Sequence, residues 1–262
     1  MRVVIQENYG KMCKWAASYI AAKINAHEGD RPFVLGLPTG SSPIGVYREL
    51  IKKNQAGEIS FKNVVTFNMD EYLGLPREHD QSYWTFMWSN FFDHIDIPKE
   101  NVNILDAMAD DPEAECARYE EKIKSYGGID LFMGGIGVDG HLAFNEPFTS
   151  LTSRTGVRAL TTDTRIVNSR FFGGDPEKVP AQALSVGIGT VTDSKEVLVL
   201  ISGHNKARAL AATVKGGVSQ KWTCSALQMH KAAIIACDEA ACGELTVDTY
   251  KYFLDIERKE RL

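Results

Sequence analysis

Short apolar runs rich in β-branched residues alternate along this chain with longer stretches in which apolar positions recur every three or four residues. The short runs cover residues 3–5, 33–37, 64–68, 131–134, 183–187, 197–201 and 233–237, and they predict strands. The stretches of helical period cover 11–26, 46–56, 82–92, 113–126, 205–214 and 225–230. Strands apolar on both faces need helices on both faces, so the alternation predicts an α/β fold with an open, mostly parallel sheet. In such sheets ligands gather beyond the carboxyl ends of the strands, which makes the residues after each run the first place to look for chemistry. Two segments, 149–164 and 173–180, are dense in turn formers and are expected to be mobile loops.

Composition narrows the field. At 262 residues, 44% hydrophobic and 24% charged, the chain fits one large globular domain, and its net charge of −5 argues against a nucleic-acid or anionic-membrane footprint. The opening MRVVIQENYG reads as an edge strand and a turn rather than a leader. No run of about 18 apolar residues occurs, so a cytosolic protein is expected. The five cysteines, Cys13, Cys116, Cys224, Cys237 and Cys242, are scattered and never form C-x-x-C, which fits reduced structural thiols rather than a zinc site or a disulfide framework.

Three post-strand segments carry candidate chemistry. LPTGSSP at 37–43 enters a helical stretch, with Ser42 placed as N-cap and Pro43 at the first helical position. Its backbone N–H groups and the hydroxyls of Thr39, Ser41 and Ser42 around Gly40 suit a phosphate, although a tight strand-to-helix turn would look the same. The lysine of a nucleoside triphosphate loop is absent. FNMDEYLG at 67–74 places Asp70 and Glu71 at a strand end, pointing to opposite sides, so only one of the two is expected to face a site as general base. GGIGVDGHLAFNEP at 134–147 satisfies G-x-G-x-x-G, but a proline-closed polar stretch follows where a dinucleotide site needs a helix. Gly137 and its neighbours then let backbone approach a small ligand, and Asp139, His141 and Glu146 form a proton-transfer cluster in which the carboxylates fix the imidazole. Metal ligation is the rival reading, disfavoured because H-x-x-x-x-E is not the zinc H-E-x-x-H arrangement. Arg170 and Lys206 stand after other elements as two further cations.

Taken together, these motifs closely resemble glucosamine-6-phosphate deaminases, and the resemblance continues through SRT at 153–155, NSRFF at 168–172, VGIGT at 186–190, WT at 222–223 and CDE at 237–239. It implies a modified Rossmann-like fold in a single domain with a lid around residues 156–184. It also implies no metal or organic cofactor and a homohexamer active on glucosamine 6-phosphate in amino-sugar and N-acetylglucosamine catabolism. By the same resemblance Asp70 is the enolisation base and Asp139, His141 and Glu146 serve ring opening. Thr39, Gly40, Ser41, Ser42, Gly137, Arg170 and Lys206 then bind phosphate and sugar. The resemblance further points to Ser150, Arg158 and Tyr252 as parts of a second site for N-acetylglucosamine 6-phosphate. There the usual arginine is replaced by Gly156, while Arg158 stands at the usual lysine. A lost charge-assisted bond to phosphate costs about 1.5–3 kcal/mol, so a weakened or absent effector response is expected. Two other readings share the fold: 6-phosphogluconolactonases and sugar-phosphate isomerases, and the sensor domains of sugar-responsive repressors. The latter carry a preceding DNA-binding module, for which a sheet beginning at Arg2 leaves no room.

Overall fold

The computed structural model describes residues 1–260. In chain order the strands are β1 (Arg2–Gln6), β2 (Phe33–Leu37), β3 (Val64–Asn68), β4 (Asp70–Tyr72), β5 (Val102–Asn103), β6 (Leu131–Gly135), β7 (Gly156–Ala159), β8 (Gln182–Ser185), β9 (Glu196–Ile201) and β10 (Ala233–Asp238). The α-helices are α1 (Tyr9–Asn25), α2 (Ile44–Gln55), α3 (Tyr83–Asn90), α4 (Pro112–Ser125), α5 (Thr162–Asn168), α6 (Ile188–Thr192), α7 (Ala207–Lys215) and α8 (Val247–Glu260).

Seven strands form one parallel sheet in the order β1-β10-β9-β6-β2-β3-β5. Successive side chains point to opposite faces, and each face has its own core. Val34, Val65, Phe67, Phe132, Val197 and Val199 join one, with Tyr119 of α4 and Leu210 of α7. Leu35, Leu37, Val64, Met133, Leu198 and Leu200 join the other, with Ile20 of α1, Leu50 of α2 and Met87 of α3. That division explains why β2 and β3 are buried along their whole length and read as continuous apolar runs. The helix starts are set locally. Asn8, Ser82, Asp111 and Thr161 each accept a backbone N–H as N-caps of α1, α3, α4 and α5.

Several expectations need correction. The run at 183–187 is not a strand of the main sheet. β8 lies in a second, antiparallel sheet of order β4-β8-β7, in which Asp70 pairs with Ser185 and Gly156 also pairs with Ser185. Its seat is fixed by the chain just after β3, because Val186 N–H donates to Met69 O at 2.8 Å and Met69 N–H donates to Leu37 O at 2.9 Å. The segment 149–164 is not all loop, since it contains β7 and the start of α5, while 173–180 holds a single 3₁₀ turn at Pro176–Lys178. Residues 225–229 fall inside a 3₁₀ helix, Thr223–Met229, rather than an α-helix, and His230 follows it in extended conformation. Ser42 does not cap α2. Pro43 occupies the cap position without a side-chain bond, and the Gly45 N–H donates instead to the Tyr9 hydroxyl at 2.9 Å.

All five cysteines are buried and free, with the Sγ atoms of Cys237 and Cys242 3.9 Å apart. No helix among the described residues is long and apolar enough to cross a membrane.

Candidate active site

The order of the main sheet reverses between β6 and β2: the chain proceeds from β2 to β3 on one side and from β6 to β9 and β10 on the other. Such a switch point leaves a crevice at the carboxyl ends. A cavity of about 610 Å³ lies there, and four adjacent strands, β9, β6, β2 and β3, each send the following residues into it. Thr39, Gly40, Ser41 and Ser42 come from β2, Asp70 follows β3, Gly137, Asp139, His141 and Glu146 follow β6, and Lys206 follows β9.

The segment after β2 turns at Gly40, whose φ is +88°. Tyr9 holds its far end through the Ser42 carbonyl, at 3.1 Å, and the Gly45 N–H. With capping of α2 left to backbone geometry, the Ser42 side chain remains part of the cavity wall.

The segment after β6 is a tight turn in which Gly137 N–H donates to His141 O at 2.9 Å and Gly140 N–H donates to Gly137 O at 3.1 Å. A Cβ at Gly137 would lie 2.4 Å from Asp139 Oδ1 and 2.5 Å from the His141 ring, so only glycine lets these two side chains close over the turn. His141 Nδ1 stands 2.9 Å from Asp139 Oδ1 and 3.8 Å from Glu146 Oε2. Glu146 is held from behind, its Oε1 accepting the Thr161 N–H at 3.1 Å and the Thr161 hydroxyl at 3.2 Å, while Oε2 has no hydrogen-bond partner among the described residues. Burial pushes the Asp139 carboxyl up, but its bonds from the His141 ring and backbone outweigh this and hold it below the ordinary range. The ligand-type atoms of Asp139, His141 and Glu146 lie within 4.8 Å of one another, a spacing that by itself also admits a cation.

Asp70 sits on a different wall with the opposite electrostatics. It is 7% exposed, and burial, with the neighbouring Glu71 charge second, pushes its carboxyl up to about 8. Tyr72, Tyr83 and Phe144 form an aromatic cluster in the lining of the same cavity, with the Tyr72 and Tyr83 rings 4.9 Å apart. Glu71 points away from the cavity, as strand alternation requires. Its Oε1 accepts the N–H groups of Tyr72 and Tyr83 and its Oε2 that of Trp84, each at 2.9 Å.

Lys206 and Arg170 bring positive charge to the same cavity. Lys206 Nζ donates to Ile136 O at 2.7 Å, and burial lowers its pKa to about 8, with Asp139 opposing and Arg170 adding to the fall. The Arg170 guanidinium lies 4.6 Å from the Phe171 ring centroid. A buried lysine whose charge is disfavoured further by a neighbouring arginine is an arrangement an anion relieves.

Among the described residues no hydrogen bond joins the three residues expected at a second site. Ser150 contacts Thr152. Arg158 is folded inward, donating to Asn145 Oδ1 at 3.2 Å, Val157 O at 3.1 Å and Arg154 O at 2.5 Å. A Cβ at Gly156 would lie 2.8 Å from Arg158 Nη1, so the glycine leaves room for that fold. Tyr252 is 60% exposed on α8, which packs beside β1, and among the described residues no hydrogen bond or ring contact joins it to the other two.

Sequence reasoning did not single out Tyr72, Tyr83, Phe144 and Thr161. Tyr72 and Phe144 sat inside the quoted motifs, where aromatic residues read as core. Thr161 lay inside the segment 149–164 expected to be a mobile loop.

The family model described as glucosamine-6-phosphate isomerases/6-phosphogluconolactonase matches residues 7–236. A glucosamine-6-phosphate deaminase of Bacteroides thetaiotaomicron is 64% identical over 259 residues, covering 98% of this chain and 96% of its own. One of Parabacteroides distasonis is 61% identical at 98% and 96% coverage. Among solved structures, a monomeric glucosamine-6-phosphate deaminase superposes with a TM-score of 0.89 at 40% identity, covering 92% of this chain and 99% of its own. A 6-phosphogluconolactonase from Trypanosoma cruzi shares the fold, with a TM-score of 0.75 at 19% identity, covering 94% and 97%. On sequence and on fold alike, the chain belongs to the glucosamine-6-phosphate isomerase/6-phosphogluconolactonase family.

Proposed function

We propose that this chain converts glucosamine 6-phosphate and water to fructose 6-phosphate and ammonia. The near full-length relatives bear that activity in their names. The observation that carries the reading on the structure is the division of acid-base groups between two walls of one cavity, with cations and a hydroxyl loop beside them. Thr39, Gly40, Ser41, Ser42, Arg170 and Lys206 hold the phosphate. His141, fixed by Asp139 and Glu146, exchanges a proton with the ring oxygen as the sugar opens. Asp70 then removes the C2 proton, the enolamine forms, and a proton is delivered to C1 before water displaces ammonia. Gly137 keeps the backbone clear of the sugar.

Lactone hydrolysis, the other activity named in the family, needs no carbon base at Asp70. The test is a direct comparison of ammonia release from glucosamine 6-phosphate with hydrolysis of 6-phosphogluconolactone. Faster turnover of the lactone would reverse the assignment.

The segment 156–184 serves as the lid in this reading. It carries β7, α5 and β8, contributes Thr161, Thr164, Val167 and Arg170 to the cavity wall, and packs Leu160, Phe172, Val179 and Ala183 against Tyr72 and Phe144 as a small core of its own. The assembly is a homohexamer in cytosolic amino-sugar catabolism, although one relative is described as monomeric. Ser150 and Arg158 on one side and Tyr252 beside the sheet edge are separate within one chain, which favours a second site shared between chains. With Arg158 folded over Gly156, the response to N-acetylglucosamine 6-phosphate at such a site is weak or absent.

A further inference from the structure

Glu71 has no place in the proton transfers just described, yet it is 2% exposed and more completely bonded than any carboxylate lining the cavity. Burying a carboxylate is costly unless donors replace its water. Here the donors are the N–H of Tyr72 and the first two N–H groups of α3, which have no partner within their own helix. Both oxygens face N–H groups, the arrangement that suits the ionised form. Burial leaves the Glu71 carboxyl above its ordinary value, and these three bonds together with Arg77 offset part of that rise. Its chain neighbour Asp70 is buried, and among the described residues no hydrogen-bond donor offsets its loss of water.

We propose that Glu71 is the positioning residue for Asp70: pinned on the start of α3, it fixes the strand so that Asp70 faces the cavity, and it keeps a standing negative charge beside Asp70 that makes it a stronger base. The proposal rests on the reading of Asp70 as the carbon base. The other titratable groups facing Asp70 are Tyr47 from α2, Tyr72 on β4, Tyr83 from α3 and Tyr119 from α4. Burial holds every one of these tyrosines neutral across the working range, which leaves Glu71 as the negative charge among them.

The test is the pH dependence of turnover in the full-length enzyme. Glu71→Gln keeps the size and removes the charge, and the acid limb should move to lower pH by about one unit or more, the scale of a like charge removed at close range. Ser82→Ala loosens the same helix start without touching the charge, and its acid limb should stay at the parental position. A Glu71→Gln enzyme slowed equally at every pH, with its limb unmoved, would overturn the proposal. If Glu71→Gln does not fold, carboxyl carbon NMR of the parental enzyme decides: Glu71 must ionise at lower pH than Asp70, and the reverse order refutes the idea. Asp70→Asn separates the two levels. Parental C2-proton exchange in that variant would sink the base reading itself, whereas an inactive Asp70→Asn beside an unmoved Glu71→Gln limb would sink only the role of Glu71.

Discussion

The two acidic walls of the cavity are built from the same residue types and behave in opposite ways. Asp139 and Glu146 have polar groups beside them: the His141 ring 2.9 Å away and its backbone N–H at the first, and a threonine N–H and hydroxyl on one oxygen of the second. Asp70 has burial and a neighbouring negative charge instead. Asp139 is therefore held below the ordinary carboxylate range while Asp70 is raised to about 8. The difference teaches that role follows environment. A permanently ionised carboxylate orients an imidazole, and a carboxylate that grips a proton near the working pH is suited to take one from carbon.

The largest effect should come from removing the raised carboxyl. Asp70→Asn is expected to lower turnover by about 10²- to 10⁴-fold, the range for a positioned general base, with phosphate binding kept. His141→Gln should cost less on an open-chain substrate than on the closed ring, and a ring-to-chain ratio that stays constant would erase the division between the walls. Lys206→Met should raise KM about ten- to a hundredfold by removing a charge-assisted bond to phosphate. In the parental enzyme that contribution fades as Lys206 deprotonates. Since Asp70 and Lys206 both titrate near 8, kcat/KM should peak in a narrow band around that pH.

The smallest effect is on stability, and its sign is opposite to the effect on activity. The unfolded chain releases the Asp70 proton near the ordinary 3.8, whereas the folded chain keeps it to about 8, so between those values ionisation favours unfolding. Asp70→Asn removes that cost and should raise Tm by a few degrees at pH 7, at about 2–4 °C for each kcal/mol regained. A lower Tm would show that the carboxylate is not under this strain.

Legibility in the sequence followed the range of the interactions. β2 and β3 were readable to the residue because both faces of each strand are apolar, and the switch point then put the right loops together. β4 and β7 were not, since a three- or four-residue strand is defined by its partner, and β8 was readable as a strand but not as a member of the second sheet, because the Asp70–Ser185 pairing spans more than a hundred positions of chain. The run at 183–187 looks the same whichever sheet receives it. Ser42 carried a sound cap signal that Tyr9, thirty-odd residues earlier, made unnecessary. Asp139, His141 and Glu146 were visible as a cluster because they are local. Thr161, which holds Glu146, and Tyr83, which lines the same cavity, come from distant elements and left no pattern of their own.

The division between the walls is tested most directly by following exchange of the substrate's C2 proton with deuterated solvent in Asp70→Asn and His141→Gln side by side, using an open-chain analogue of glucosamine 6-phosphate. The account predicts that exchange is lost in Asp70→Asn and largely retained in His141→Gln. Exchange at the parental rate in Asp70→Asn, or its loss in His141→Gln alone, would contradict it.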